Sequence, residues 1–224
     1  LGSKLVLGIC NYWKNNCHLK EGVMCIKHRS VTKKDRIMRP NKRDEIVRKA
    51  LEVFYHNGFH ATGMDLLVKE TGISKTSMYR HFRTKEDIIL ATLRLRDENF
   101  RNWLYRRVEA MADTPKEQIL AVFDALEEWF AKPEFRGCMF IKASAEFQET
   151  SHPIHAQSAE HKRLLGDHFL KIARSAIARD PEELTRQLMI LKEGAIIMAV
   201  MGHSDNPARD AKSAADTLIA AHSG

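Results

Sequence analysis

The chain has 224 residues, a formal net charge of +7 and 29% charged residues. This length suits one or two domains with a sizeable core. The apolar run from Leu5 to Cys10 is too short for a signal peptide or a membrane span, so the composition argues against a membrane protein and predicts a cytoplasmic one.

The first 37 residues do not share the pattern of the rest. They hold eight Lys/Arg against two Asp/Glu and three of the four cysteines, and no helical or strand periodicity is sustained in them. We therefore expect residues 1–37 to be a disordered basic extension. Zinc binding by Cys17, His18, Cys25 and His28 is an alternative, but their spacing matches no recognised finger, and we predict neither a metal nor a cofactor.

Residues 38–84 have the pattern of three short helices. Apolar residues at helical spacing predict a first helix after Arg43, and Asn57-Gly58 ends it because glycine readily adopts a left-handed cap. We expect Thr62 to cap a second helix, which Gly72 ends.

A third helix is predicted after Ser74, which is a good helix cap. Met78 and Phe82 are four residues apart and should face inward. The outer face is then formed by Lys75, Thr76, Ser77, Tyr79, Arg80 and His81. Two short helices joined by a glycine-containing turn can place the second helix in the major groove of DNA, so residues 38–84 are predicted to be a helix-turn-helix DNA-binding domain.

The same residues resemble the tetracycline-repressor (TetR) family of bacterial transcription regulators. The matching segments are Ala50–Phe54, Gly58–Thr62, Gly72–Lys75, Tyr79–Phe82 and Lys85–Asp87. The resemblance implies a homodimeric regulator, expected to be a repressor, whose two recognition helices enter successive major grooves of a palindromic operator. By resemblance and helix geometry, the residues expected at base edges are Lys75, Thr76, Ser77 and Arg80, and those expected at phosphates are Thr62, Tyr79, His81 and Lys85.

Every segment after Lys85 is predicted to be helical. The first predicted helix runs from Lys85 to about Met111, and the second begins at Pro115 after a capping box at Thr114. A short helix is predicted over Cys138 to Phe147, followed by a long one from Pro153 to about Ala178 with Ser151 as cap. The last two begin at Pro181, with Asp180 as cap, and at Pro207. The sequence therefore predicts an all-α fold: a three-helix helix-turn-helix domain followed by a helical domain, residues 85–224, for effector binding and dimerisation. We expect the dimer contact at the Ala/Gly-rich stretches 194–199 and 211–221.

The resemblance also implies a small-molecule pocket among helices four to eight. The candidate lining residues are Phe100, Trp103, Leu104, Phe123, Trp129, Met139, Phe140 and Phe147. The alternative is that these aromatic and aliphatic stripes are simply core. Because helix four carries both Lys85 and Phe100, it is the expected link between the pocket and DNA.

Cys138 and four histidines could carry further chemistry. Cys138 follows Arg136, a cation that could activate a thiol for redox sensing, although a free cysteine is more often a small buried side chain. Pairs of histidines three and seven apart could share a helix face and bind a metal, but hydrogen-bonded or solvated roles are favoured: the residues are His152, His155, His161 and His168.

An enzyme and an architectural DNA-binding protein are the alternatives to a ligand-responsive regulator. An enzyme is not expected, because the chain has no glycine-rich phosphate loop, H-E-x-x-H or G-x-S-x-G motif. An architectural DNA-binding protein without an effector would have the same sequence pattern through residue 99. A buried pocket within residues 85–205 would favour the effector-binding protein, and a solid core would favour the architectural one.

Overall fold

The computed structural model describes residues 41–176 and 179–223, and this part of the chain is built from helices and loops without a strand. In chain order the helices are α1 (Lys42–Asn57), α2 (Met64–Thr71), α3 (Lys75–Tyr79), α4 (Lys85–Met111), α5 (Pro115–Phe130), α6 (Met139–Glu146), α7 (Pro153–Ala176), α8 (Pro181–Met201) and α9 (Pro207–His222). The predicted all-α fold is confirmed. The expected basic extension with its cysteines, and the helix end predicted near Ala178, lie outside the described residues.

Three of the five helix caps that the sequence predicts are confirmed. The Ser74 side chain accepts a hydrogen bond from the Ser77 amide at 3.2 Å, and the Asp180 carboxylate accepts one from the Glu183 amide at 2.9 Å. Thr114 forms the expected capping box, with Glu117 as its partner. These contacts satisfy backbone N–H groups that have no partner within their own helix.

Two predicted caps are wrong. Thr62 does not cap α2, because the residue before that helix is Gly63; the Thr62 hydroxyl instead donates to the Gly58 carbonyl at 2.6 Å. Ser151 does not cap α7, because the residue before that helix is His152. At that start the His152 ring nitrogen Nδ1 accepts from the Ile154 amide at 3.2 Å.

Helices α1 to α3 form a small bundle that packs against the start of α4. Helix α1 contacts both α2 and α4, and α2 contacts α3. Their shared core includes Phe54 and Phe59, which are fully buried with ring centroids 5.5 Å apart. Met78 of α3 is fully buried in the same core. Burial of each such side chain contributes about 2–3 kcal/mol.

Helices α4 to α9 form the larger helical layer. Helix α5 contacts α4, α7 and α9, and α8 contacts α7 and α9. Both layers belong to one compact unit, Arg39–Gly224, so the division into residues 38–84 and 85–224 stays a prediction based on function. Among the helices described, none is at once long enough and apolar enough to cross a membrane.

Helix α6 joins the two layers by polar contacts at both of its ends. At its last residue, the Glu146 carboxylate accepts hydrogen bonds from the backbone amides of Phe59 (3.0 Å) and His60 (2.5 Å). Just before its first residue, the Gly137 carbonyl accepts a hydrogen bond from the Tyr55 hydroxyl at 3.1 Å. The α1–α2 loop and α1 itself are therefore tied to α6.

The backbone at Gly58 shows why the Glu146 contact suits this loop. Gly58 has φ +81°, a conformation that L side chains rarely adopt, and a Cβ built there would lie 3.0 Å from Glu146 Oε1. Glycine lets the chain turn directly under the carboxylate, so that the next two amides can point at it.

Removing the Glu146 carboxylate should destabilise the protein. Hydrogen bonds to a charged, partly buried acceptor typically contribute about 1.5–3 kcal/mol, so we expect Glu146→Ala to lower the free energy of unfolding by roughly that amount. Urea unfolding at neutral pH measures it. The matched control is Glu98→Ala, which removes an exposed glutamate of α4 and should change stability by less than about 0.5 kcal/mol. Equal effects of the two substitutions would contradict the assigned role of Glu146.

Candidate nucleic-acid interface and interior cavity

The third helix presents a polar face on an anchored backbone. Met78 and Phe82 are buried, and Arg43 of α1 stacks over the Phe82 ring at 4.8 Å. The exposed residues are Lys75, Thr76, Tyr79, Arg80 and His81, and Ser77 is partly exposed. Helix α3 therefore holds its hydrogen-bonding groups in solvent while its inner side is fixed.

Lys75 forms only a weak ion pair within the protein. Its ammonium lies 3.5 Å from the Asp65 carboxylate of α2, and both side chains are more than half exposed. Exposed ion pairs of this kind contribute only about 0–1 kcal/mol. A phosphate or a base edge could therefore replace Asp65 at little cost.

Thr62 is not available as a phosphate contact, and this prediction is corrected. The residue is fully buried, and its hydroxyl is used within the α1–α2 loop, where it donates to the Gly58 carbonyl. The sequence pattern placed Thr62 at a helix N-terminus facing solvent. The loop instead folds its hydroxyl back onto the preceding turn, because the helix begins one residue later than predicted.

Lys85 has an internal role that the sequence did not indicate. Its ammonium donates to the carbonyls of Phe59 at 3.0 Å and Thr62 at 3.2 Å. It thereby ties the first residue of α4 to the α1–α2 loop. An ammonium has three donors, so a phosphate contact by Lys85 remains a prediction.

A cavity lies in the larger helical layer, between α4, α5, α6, α7 and α8. Its volume is ≈ 10 Å³, which is room for about one water molecule. The lining residues are Arg96, Phe100, Trp129, Cys138, Met139, Phe140, His161, Lys162, Lys192 and Ile196. Three of these, Arg96, Phe100 and Trp129, also line an outer crevice of ≈ 130 Å³. The two spaces are thus separated by a wall of three side chains.

The predicted pocket residues separate into three groups. Phe100, Trp129, Met139 and Phe140 line the cavity, and Trp103 lines the outer crevice. Leu104 and Phe123 do not; both are fully buried in the core, and the pocket prediction is wrong for them. It is also wrong for Phe147, which packs on Phe59 and His60 at the junction with the α1–α2 loop. Aromatic type and helical spacing cannot distinguish these three environments.

His161 forms a buried polar group with Asp97 and Arg101. The His161 ring donates from Nδ1 to Asp97 at 2.7 Å and stacks on Phe140 with ring centroids 3.7 Å apart. Arg101 donates twice to the same carboxylate, at 2.8 and 2.7 Å. Burial lowers the pKa of His161 to about 4, although the hydrogen bond to Asp97 opposes this. His161 is therefore neutral at pH 7.

The carboxylate of this group remains ionised over the whole physiological range. Burial alone would raise the pKa of Asp97, but the hydrogen bonds from His161 and Arg101 together lower it to about 2. The neutral imidazole of His161 thus lines the cavity on the α7 side, and the ionised Asp97 carboxylate holds it in place by a hydrogen bond.

Two lysines and one glutamate form a second polar group. Lys192 is 1% exposed, and its ammonium pairs with the neighbouring Glu193 carboxylate. Lys162 donates to the same carboxylate at 2.7 Å and to the Cys138 sulfur at 3.3 Å. Burial lowers the pKa of Lys192, and the positive charge of Lys162 lowers it further.

Two of the four charged or polar cavity residues, Lys192 and His161, could have been found from the sequence by a different signal. Lys192 follows Leu184 and Leu188 at four-residue steps along the buried stripe of α8. His161 lies in the same way on the buried stripe of α7 between Ile154 and Leu165. A charged or polar residue within an apolar stripe marks a buried polar site. Lys162 and Arg96 lie beside such stripes and carry no comparable signal.

The four histidines highlighted by the sequence contact other residues and do not come together. His155 bonds to the Phe147 carbonyl at 2.9 Å, His152 stacks on the Phe147 ring, and His168 stacks on Tyr105. Within residues 41–176 and 179–223, no group of three His, Cys, Asp or Glu side chains is arranged to hold a metal ion.

These features define the class of protein: an anchored, polar recognition helix on a three-helix bundle, joined to a larger helical layer, is a helix-turn-helix DNA-binding regulator. Comparison with known proteins gives the family. Residues 46–92 match the model of the bacterial regulatory proteins of the tetR family, and residues 115–215 match the tetracyclin repressor-like C-terminal domain. The chain therefore belongs to the TetR family of DNA-binding transcriptional regulators.

Individual relatives agree with this assignment. The transcriptional regulator YjdC of Escherichia coli is 21% identical over 178 residues, which cover 80% of this chain and 93% of that protein. Two shorter matches in Mycolicibacterium smegmatis, each 31% identical, are the transcriptional activator FasR, covering 42% of this chain and 44% of that protein, and the transcriptional repressor KstR2, covering 41% and 46%.

The fold itself matches solved structures of the family. The crystal structure of SCO4454, a TetR-family regulator from Streptomyces coelicolor, aligns with a TM-score of 0.75 and 25% identity, covering 82% of this chain and 96% of that chain. The similarity therefore extends over both helical layers.

The neutral state of His161 predicts a loss of stability in acid. Its folded pKa, about 4, is below the value of about 6.5 for a free histidine. The contribution is fully present above pH 6.5 and is lost as the pH falls toward 4, because the unfolded chain binds the proton first; the loss is roughly 3 kcal/mol.

Urea unfolding at pH 7 and pH 4.5 of wild type and His161→Gln measures this effect. The glutamine variant keeps a donor for Asp97 but cannot titrate, so its stability should fall clearly less between the two pH values. An identical fall in both proteins would show that His161 is not the titrating group.

Proposed function

We propose that this protein acts as a homodimeric repressor, whose two recognition helices enter successive major grooves of a palindromic operator and which a small-molecule effector releases from DNA. The observation that carries the DNA-binding part is the exposed polar face of α3 over its buried anchors Met78 and Phe82. Dimeric helix-turn-helix proteins of this kind need their recognition helices about 34 Å apart, one helical turn of DNA.

The proposed contacts follow the exposure of the side chains on α3. We assign base-edge contacts to three residues of the first turn of the helix and to Arg80, which directly follows its last residue: Lys75, Thr76, Ser77 and Arg80. Tyr79 and His81 are assigned to phosphates, since both are exposed at the end of the helix. The phosphate role proposed for Lys85 is secondary, because its ammonium also holds the α1–α2 loop.

The exposed apolar surface of α8 supports the dimer. Among the residues that the structure describes, every large hydrophobic side chain that is exposed lies on α8, apart from Tyr79: these are Ile190, Met198, Val200 and Met201. A groove beside them is lined by Gly194 and by Ala211 and Ala214 of α9. Small residues allow a partner helix to approach closely, and a clustered apolar surface favours association.

Release by an effector requires a link from the cavity to α3, and two helices could provide it. Helix α4 carries Phe100 at the cavity and Lys85 at the α1–α2 loop. Helix α6 carries Met139 at the cavity and Glu146 at the same loop. A ligand that displaces either helix would change the position of α1 to α3 and hence the spacing of the recognition helices in the dimer.

An architectural protein without an effector is the competing proposal. The small volume of the cavity favours it, but the charged lining does not, because burying a lysine such as Lys192 in a purely structural core costs free energy that an apolar residue would avoid. The repressor role rests on effector release and on the name of one relative, while another relative is named an activator. No catalytic step is part of the proposal.

Arg80→Ala tests the base contacts. A bidentate arginine–guanine pair provides about 1–3 kcal/mol of discrimination, so affinity for the preferred operator should fall by that amount and sequence preference should relax. The measurement is fluorescence anisotropy on an operator selected from random DNA. Lys171→Ala removes the same charge from an exposed site on α7 and should leave the preference intact. Unchanged sequence preference in Arg80→Ala would rule out base reading by this residue.

Ile190→Asp tests the dimer surface. Ile190 is 71% exposed, so the substitution should not disturb folding of the single chain, but a charge in an apolar contact should shift sedimentation from dimer to monomer at micromolar concentration. The matched control is Ala110→Asp at an exposed site of α4, which should remain dimeric. If Ile190→Asp sediments as the wild type does, this surface is not the dimer contact.

A further inference from the structure

The polar groups around the interior cavity carry an excess of positive charge. Lys162 and Lys192 share one carboxylate, that of Glu193, so one positive charge near the cavity has no counter-charge in this group. Lys192 is almost completely buried. Burying an uncompensated charge costs several kcal/mol, and a protein core can avoid this cost with an apolar residue.

Arg96 adds a second uncompensated cation. Its guanidinium lies over the rings of Tyr55 at 4.8 Å and Trp129 at 5.9 Å. Within the described residues, no carboxylate forms an ion pair or hydrogen bond with it. A guanidinium held only by aromatic faces keeps its N–H donors at the ring edges free, and their geometry matches a carboxylate or a phosphate.

Two further carboxylates lie near these cations. The exposed Glu134 lines the outer crevice with Arg96, but within the described residues the two side chains form no ion pair. Asp97 accepts hydrogen bonds from both His161 and Arg101, so it does not compensate Arg96 or the lysines. The other side chains of the cavity are apolar or aromatic, including Phe100, Phe140 and Ile196. The surroundings are therefore cationic at one side and apolar over the rest.

From this arrangement we infer that the cavity binds an amphipathic organic anion, whose charged group meets Lys162, Lys192 and Arg96 and whose apolar body lies against Trp129 and Phe100. The inference rests on the proposed effector role and specifies the chemical class of that effector. Carboxylates and phosphate monoesters share the required chemistry.

Binding requires the wall between the cavity and the outer crevice to open. The cavity in its present form has room for about one water molecule, whereas the crevice of ≈ 130 Å³ shares Arg96, Phe100 and Trp129 with it. Rotation of Trp129 and Arg96 would join the two spaces.

Movement of Arg96 on ligand binding would change the contacts of α1. Arg96 stacks on Tyr55, and the Tyr55 hydroxyl bonds to the Gly137 carbonyl and accepts from the Arg136 amide at 2.8 Å. An anion that draws Arg96 away from Tyr55 would weaken the contact between α1 and the segment that leads into α6. Binding of the anion could therefore shift α1, and with it α2 and α3.

The test compares anions with uncharged amides of the same shape. The probes are 4-phenylbutanoate with 4-phenylbutanamide, octanoate with octanamide, and phenyl phosphate, each titrated into the full-length protein by calorimetry and by thermal melting. At least one anion should bind and raise the melting temperature, and its amide should bind roughly 10- to 100-fold more weakly, the usual effect of losing a charged hydrogen bond. Phenyl phosphate distinguishes a phosphate site from a carboxylate site.

Variants locate the binding. Lys192→Met keeps the shape and removes the charge, so it should unfold at the wild-type temperature or above it and bind the anion roughly 10- to 100-fold more weakly. Lys162→Met and Arg96→Met provide the same test if Lys192→Met fails to fold. Lys171→Met, on the exposed face of α7, removes one charge far from the cavity lining and should bind as the wild type does.

The inference is overturned if no anion binds, if the amides bind as tightly as the anions, or if the cavity variants keep wild-type affinity. Operator binding is measured separately, so the two proposals can fail separately. Anion binding at the cavity without any change in operator affinity would support the ligand class and reject effector release. Operator binding without anion binding would support DNA recognition and reject the ligand class.

Discussion

The hydrogen bonds of Glu146 tie the α1–α2 loop to the larger helical layer. One carboxylate at the end of α6 accepts the amides of Phe59 and His60, and the lysine that begins α4 binds the Phe59 carbonyl on the other side of that peptide segment. The α1–α2 loop is thus held by an anion and a cation from the two helices that also line the cavity. Any movement of those helices must be transmitted to this loop.

The interior of the larger layer contains charged side chains, whose burial is unfavourable unless hydrogen bonds or opposite charges compensate it. Asp97 resolves the conflict with three hydrogen bonds from two partners, whereas Lys162 and Lys192 resolve it only in part, through a single shared glutamate. A fully satisfied polar group makes a core rigid and specific, while a partly satisfied one retains affinity for whatever completes it. The Asp97 group therefore stabilises the core, whereas the group of Lys162, Lys192 and Glu193 could still bind an anion.

The sequence predicted the helices well because their boundaries depend on local chemistry. Capping residues such as Ser74, Thr114 and Asp180, and prolines at helix starts, act on the few residues around them. Thr62 was predicted wrongly because its hydroxyl is satisfied by the Gly58 carbonyl, a choice set by the shape of the loop. The exposed residues of α3 are similarly local, since one helix turn determines which side chains point outward.

The cavity was predicted only in part because its lining is assembled from five helices. Phe100 and Trp129 meet there, yet Phe123 and Leu104, with the same spacing and character, lie in solid core. Lys162 and Arg96 line the cavity because of the way their helices pack on others, and the sequence pattern of one helix does not show this packing. The position of Lys192 on an apolar stripe was a usable signal, and it shows that an exception to periodicity can be more informative than the periodicity itself.

Helix α3 has a property that bears on how such regulators diverge. Its attachment to the rest of the protein depends on Met78, Phe82 and the Ser74 cap, and its exposed residues make few contacts with their own protein. Mutations on the exposed face therefore carry almost no penalty in folding. Duplicated copies of such a gene can drift toward new operators one substitution at a time, without first acquiring compensating changes in the core.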